Sequence, residues 1–246
     1  MDKLNFLTAG VPLRAEGKGY EVGFKVLDDM NLDGLELEFV RGVRISDKSR
    51  EAVGNSKKVI TAHAPFYVNL NAIEASTQRI IETADVANEL GGYSITYHAA
   101  YYLGMEAELV YKQVAKQTQI IVDALAKTNN KIWIRPETTG KATQWGDLEE
   151  IVRLSKEFEQ VLPCVDFSHL HARYNGIVNT YDEFSEIFET IGNELGQVAL
   201  DNFHAHVAGI EYGAKGEKKH LNLEESDFNY KDLLKAFKAF DVKGAV

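Results

Sequence analysis

The chain has 246 residues, 45% of them hydrophobic and 26% charged, a composition typical of globular proteins and a length that can bury a large core. Its formal net charge is −10, from 27 Lys and Arg against 37 Asp and Glu, which argues against a generic nucleic-acid binder with a basic face. That argument weakens where acidic groups hold dications, because the ions are then the largest local positive charges. No apolar run reaches the ~18 residues of a membrane span and no basic-then-apolar leader opens the chain, so a cytoplasmic location with no membrane partner is expected. Cys164 is the only cysteine, so an intrachain disulfide is excluded and a buried strand thiol is expected.

Residues 4–9 (LNFLTA) read as a first strand, closed by Gly10 and Pro12. A polar loop follows, then a helix from Tyr20 to Met30 with Val22, Val26 and Met30 at helical spacing. Residues 35–39 (LELEF) alternate as a second strand, and Ser46 is placed to cap a short helix that Gly54 and Asn55 end. The third strand, 59–65 (VITAHAP), ends on His63. The long helix after it carries Ile73, Thr77, Ile80, Ala84, Ala87 and Leu90 on one face and stops at Gly91-Gly92. Strand four, 94–100, ends on His98 and leads into a helix over 106–127. Strand five, 131–138, ends on Glu137 and leads into a helix over 147–158.

The sixth strand begins as a short apolar run at Val161 and delivers Asp166, then His169 and His171, within VDFSHLHAR. A helix over 181–194 precedes a seventh strand, 197–208 (QVALDNFHAHVA), which carries His204 and His206. Residues 209–229 read as a long charged loop containing His220, 230–240 as a helix, and 242–246 as the start of an eighth strand. Regular strand–helix alternation with crossover helices means a parallel sheet, and this many units in this length fit a single-domain (β/α)8 TIM barrel over 1–246. The barrel is expected to be truncated within strand eight. That would leave the first and seventh strands with unpaired edges, and association through the gap is expected.

Active sites of such barrels are built at the C-terminal ends of several strands. Strands three to seven end on His63, His98, Glu137, Asp166 and His206, all capable of ligating a divalent cation through oxygen or nitrogen. None of the seven histidines falls in a predicted helix. His204 and His206 lie two apart on one strand and share a face, so His204 either lines the mouth or orients its neighbour. His171 and Arg173 are leaving the sixth strand and are candidates for substrate phosphate instead of metal.

The motif set resembles endonuclease IV, the zinc-dependent abasic-site endonuclease family within the xylose isomerase-like barrel superfamily. The resemblance spans nearly the whole chain. AHAPFYVNL and TYHAA match the histidine motifs through His63 and His98, and RPETTG matches the glutamate motif through Glu137. VDFSH aligns Asp166 and His169, FHAHVAG aligns His206, and KKHLNL aligns His220. The resemblance implies two or three bound Zn2+, with Mn2+ as a substitute, Glu137 bridging two of them, and abasic DNA as partner and substrate. Phe66 and Tyr67 would pack against a base or flipped-out sugar, and Arg41 and Arg44 would contact the DNA backbone.

Two departures stand out. The family has an aspartate two residues before the last histidine where this chain has Lys218, so the third site is expected to be weak or rebuilt from Glu217. The family also takes a glutamate from the end of strand eight, beyond Val246. Two other readings fit the same barrel: a divalent-metal sugar isomerase or epimerase, and a non-catalytic metal-binding barrel.

Overall fold

The computed structural model describes residues 1–72 and 75–246. Its first stave is bent at Phe6 into β1 (Leu4–Asn5) and β2 (Leu7–Ala9). Then come α1 (Tyr20–Asp29), β3 (Gly34–Glu38), α2 (Asp47–Gly54), β4 (Val59–His63), α3 (Ala75–Glu89), β5 (Ser94–Tyr97), β6 (Ala100–Tyr101) and α4 (Ala107–Lys127). They are followed by β7 (Trp133–Pro136), β8 (Gln144–Trp145), α5 (Leu148–Glu157), β9 (Val165–Asp166), α6 (Phe167–Arg173), α7 (Tyr181–Leu195) and α8 (Gln197–Asp201). The chain ends with β10 (Phe203–His206), β11 (Gly209–Gly213), β12 (Gly216–Leu221), α9 (Tyr230–Ala239) and β13 (Gly244–Ala245).

The staves pair in parallel in the order β2-β3-β4-β5-β7. Bridges Ile134↔Val161 and Glu137↔Cys164 carry the sheet to the sixth stave, which continues through β9 to β10. β13 then pairs with β10 on one side and β1 on the other, and the (β/α)8 TIM barrel closes. The expected gap at strand eight is therefore filled, and the edges of the first and seventh strands are paired. A short stave suffices because Gly244 (φ +138°) lets the backbone approach so closely that a Cβ there would lie 2.0 Å from the Phe203 carbonyl oxygen.

Three other expectations are corrected. Residues 197–201 form the helix α8, and the seventh stave is only Phe203–His206. The apolar run misled because Val198 is turned outward, whereas a strand there would bury it. Residues 209–221 are an antiparallel hairpin, β11 with β12, closed by a two-residue turn between Gly213 and Gly216. His169 and His171 lie on α6, which Asp166 starts as N-cap by accepting from the His169 amide at 2.7 Å. Among the other expectations, Ser46 caps α2 and accepts from the Ser49 amide. Ile73 falls outside the described residues, while Thr77, Ile80, Ala84 and Ala87 form the buried face of α3.

Side-chain alternation explains where the chemistry sits. Leu35, Leu37, Ile60, Ala62, Ile95 and Ile134 are fully or almost fully buried and pack with the helices in one apolar cluster. Phe167, Phe184, Phe188, Phe203 and Phe237 anchor a second cluster around α6, α7 and α9. The intervening positions on the same staves are polar and buried: Glu36, Thr61, Ser94, Thr96, Arg135 and His204. Arg135 makes one polar support, donating to the carbonyls of Pro163 (3.0 Å) and Asn202 (2.8 Å). Two residues further along these staves come Glu38, His63, His98, Glu137 and His206, on the same face and nearer the mouth.

Candidate metal centre

Those mouth residues line a cavity of about 630 Å³ together with Glu36, Asp166, His169, His204, Glu217 and His220. Glu137 stands at its middle. One carboxylate oxygen, Oε2, lies 3.1 Å from His63 Nε2 and 3.2 Å from His98 Nε2. The other, Oε1, lies 3.0 Å from His206 Nδ1 and 3.3 Å from His169 Nδ1. Burial alone would raise this carboxyl, but His98, His206 and His169 around it hold it well below the usual carboxylate range.

Two histidines are pre-oriented by main-chain carbonyls. His63 Nδ1 meets the Ala64 carbonyl at 2.6 Å, and His169 Nδ1 meets the Thr138 carbonyl at 2.9 Å. Each thereby turns its Nε2 toward the cavity, the arrangement in which an outer hydrogen bond fixes the tautomer of a metal-ligating imidazole. Burial opposes the His63 imidazolium, but the hydrogen bond and charge of Glu137 outweigh it and push the ring up to about 9. For His169 burial is likewise overcome, by Asp166 and Glu137, and the ring rises to about 10.

The carboxylate supply includes residues that the sequence reading did not single out. Glu36 accepts from Thr61 Oγ1 at 2.7 Å and lies 3.0 Å from His206 Nε2 and 3.2 Å from His204 Nε2. Glu38 lines the cavity nearby, and its burial, with the charge of Glu36, pushes its carboxyl up to about 7. Both are legible in hindsight, since a parallel strand enclosed on both faces should read apolar throughout, and LELEF does not. His204 is held between Ser94 Oγ (2.9 Å) and Glu36, and burial pushes it down to about 4, so it stays neutral behind His206.

Several candidates fall elsewhere. His171 is fully buried between the Val178 carbonyl (3.1 Å) and Asp227 (3.1 Å), with Tyr212 and Phe228 against its ring, and it does not reach the cavity. Arg173 donates to the Lys141 and Gln144 carbonyls and pairs with Asp147, so it clamps the loop after Glu137 and is not offered to a phosphate. Phe66 is half exposed on the rim with its ring edge-on to His63, 5.5 Å between centroids. Tyr67 is exposed with the Arg79 guanidinium over one face of its ring, 4.5 Å from the centroid, and Arg41 and Arg44 are exposed outside the cavity wall.

Three donor sets are close enough to share cations: His63, His98 and Glu137; Glu137, Asp166 and His206; and Asp166, His169 and His220. Within each set the ligand atoms lie within 4.8 Å of one another. Their imidazole nitrogens and carboxylate oxygens suit zinc or manganese. A direct sign of fit is His169 Nε2, which is buried and has no hydrogen-bond partner among the described residues, as suits a nitrogen that ligates a cation. A fourth set, Cys164 with His204 and His206, lies deeper, and burial lifts its thiol to about 11, so it stays protonated.

Comparison with known proteins agrees with the architecture. The model of a family described as "Xylose isomerase-like TIM barrel" matches residues 24–246. An uncharacterized protein of Methanocaldococcus jannaschii is 45% identical over 250 residues, covering 99% of this chain and 90% of its own. Among solved structures, a D-tagatose 3-epimerase-like protein superposes with a TM-score of 0.74 at 17% identity, over 98% of this chain and 88% of the other. The Escherichia coli 3-keto-D-glucoside 4-epimerase gives 0.69 at 16% identity, over 100% and 90%. Endonuclease IV from Thermus thermophilus gives 0.66 at 17% identity, over 100% and 91%. At such identities these likenesses speak to the fold alone. Among the described residues no helix is long and apolar enough to cross a membrane.

Proposed function

The chain belongs to the xylose isomerase-like TIM-barrel family, and from that premise we propose that it hydrolyses phosphodiester bonds at abasic sites in DNA with bound divalent cations, Zn2+ foremost. The observation that carries this reading is the sharing of Glu137 and Asp166, each of which belongs to two of the three donor sets at the mouth. A carboxylate shared in this way can hold neighbouring cations at the short spacing that phosphoester hydrolysis uses, whereas a one-cation sugar isomerase needs only one such set. When bound, the cations polarise a phosphoryl oxygen and lower the pKa of water.

The protein's own groups supply position and electrostatics. Glu137 would join the first two sets, with His63 and His98 on one oxygen and His206 on the other. Asp166 would join the second to the third, its Oδ1 already fixed by the His169 amide and by Ser168 Oγ at 2.5 Å. Glu36 would hold the far nitrogen of His206 and so keep Nδ1 turned to the mouth. On the rim, half-exposed Phe66 offers an aromatic face to an unstacked base or sugar, and Lys141 a positive charge to the backbone.

A second reading is sugar epimerisation, favoured by a cavity of sugar size and by the net charge of −10. The two separate in one experiment. Zinc-loaded protein is incubated with a duplex carrying a single tetrahydrofuran abasic analogue and, in parallel, with ketohexoses. Incision at the analogue with no sugar turnover is expected. Sugar turnover without incision would replace the nuclease reading with the epimerase one.

A further inference from the structure

Resting on the hydrolase reading above, we propose that a groove beside the metal cavity, walled by Tyr101, Tyr102, Leu103 and Met105, seats the nucleobase next to the abasic site. The groove encloses about 530 Å³ between the loop after β5 and the loop after β7, with Ala142 and Thr143 on its far side. Tyr101 lines both this groove and the cavity around Glu137, so the two spaces adjoin. The wall between them is fixed. β6 and β8 join the two loops as a short antiparallel ladder in which Tyr101 pairs with Gln144. Tyr102 donates through its hydroxyl to Glu150 at 2.7 Å and through its amide to the Thr143 carbonyl at 3.2 Å.

Leu103 is the residue that folding alone does not explain. With Gly104 it forms the centre of a tight turn, closed by the Met105 amide donating to the Tyr102 carbonyl at 2.9 Å. Both central residues have positive φ, +53° and +76°, the type I′ pattern that Gly, Asn and Asp fill. A leucine there is held in a backbone conformation that its Cβ disfavours. Burial does not offset that cost, because its side chain is 62% exposed and belongs to neither apolar cluster. Met105 is 45% exposed beside it. Apolar side chains held out at a rim, one of them on strained backbone, mark a surface that a ligand completes. The DNA strand must cross this rim as it leaves the cavity, and a base stacks on tyrosine and packs on leucine and methionine. Lys141 lines the cavity while its neighbour Ala142 lines the groove, which puts a positive charge near the phosphate linking the two nucleotides. Gln144 is 5% exposed and its Oε1 has no hydrogen-bond partner among the described residues, leaving an unused acceptor on the cavity side of the ladder.

The test uses the Zn2+-loaded full chain and duplexes with a tetrahydrofuran abasic analogue whose neighbouring nucleotide, on the 5′ or the 3′ side, either keeps its base or is itself abasic. Removing the base on one side is expected to lower kcat/KM for incision by roughly tenfold, the scale of one base stacked on an aromatic ring. L103G should cause a similar loss with the base present and no further loss without it, because both changes remove one contact. Its melting temperature should match or exceed that of wild type, since glycine accepts the left-handed turn without strain. 2-Aminopurine placed as that base should be quenched on binding to wild type and not to L103G. Losses that multiply independently, or incision indifferent to the base and to Leu103, would overturn the inference and leave the proposed hydrolysis standing. So would a wild-type dimer that L103G turns into a monomer, which would assign the groove to a second copy of the chain. No incision of any duplex would remove both.

Discussion

Glu137 is the residue whose loss the centre should tolerate least, because both of its oxygens are committed to imidazoles and burial leaves it no water to fall back on. E137Q keeps the shape but removes the charge that holds His63, His98 and His206 together. We expect Zn2+ affinity to fall by more than the ~10–100-fold typical of outer-shell losses, and incision to fall with it, read by chelator competition and gel assay. A pH dependence follows from the same charges. In cation-free protein His63 and His169 titrate near 9 and near 10, above the ordinary 6.5, so their stabilisation is complete at or below about pH 6.5 and disappears as pH rises through 9 to 10. Melting temperature in EDTA should therefore decline over that window. Zn2+-loaded protein should not show this decline, since ligated imidazoles are already deprotonated. A flat profile in EDTA would contradict the arrangement. His63, His98, Glu137 and Asp166 were legible as candidates because each closes a recognisable strand. Glu36 and Glu38 were hidden by treating LELEF as an ordinary half-exposed strand, and the structural duties of His171 and Arg173 depend on Asp227 and on the 139–147 loop, far away in sequence.

At the scale of elements, the seam between the first and last staves rests on close backbone contact instead of on long ladders. β13 has two paired residues on each side, and Gly244 fits only without a side chain. G244A combines strain at φ +138° with overpacking and should cost about 1–3 kcal/mol or more, seen as a lowered denaturant midpoint. An unchanged midpoint would mean that the seam bears little of the stability. The helices were readable from their spacing, and α2 from its cap, since Ser46 accepts from the Ser49 amide as expected. The hairpin was not, because charged residues occupy both faces of β12 and a bulge breaks its alternation at Lys218. Nor was α8, a five-residue helix whose QVALD sequence is too short to display a helical period.

For the whole molecule, a charge of −10 and a cavity ringed by carboxylates make the cation-free protein a poor polyanion binder. Bound dications reverse the sign where the substrate's phosphate must sit. Binding of an abasic duplex, measured by fluorescence anisotropy, should thus be negligible in EDTA and appear with Zn2+. If exposed Arg41 and Arg44 each neutralise a phosphate, replacing both with Ala should lower the salt-dependence slope by about 2. Equal binding with and without Zn2+ would show that the cavity is not where DNA is held. On the proposed reading Glu137 joins two cations. Anomalous diffraction at the zinc edge from Zn2+-loaded crystals tests it most directly. Strong peaks are expected on both sides of the Glu137 carboxylate, about 3.5–4 Å apart. A single peak beside Glu137 would contradict it and return the barrel to one-cation chemistry.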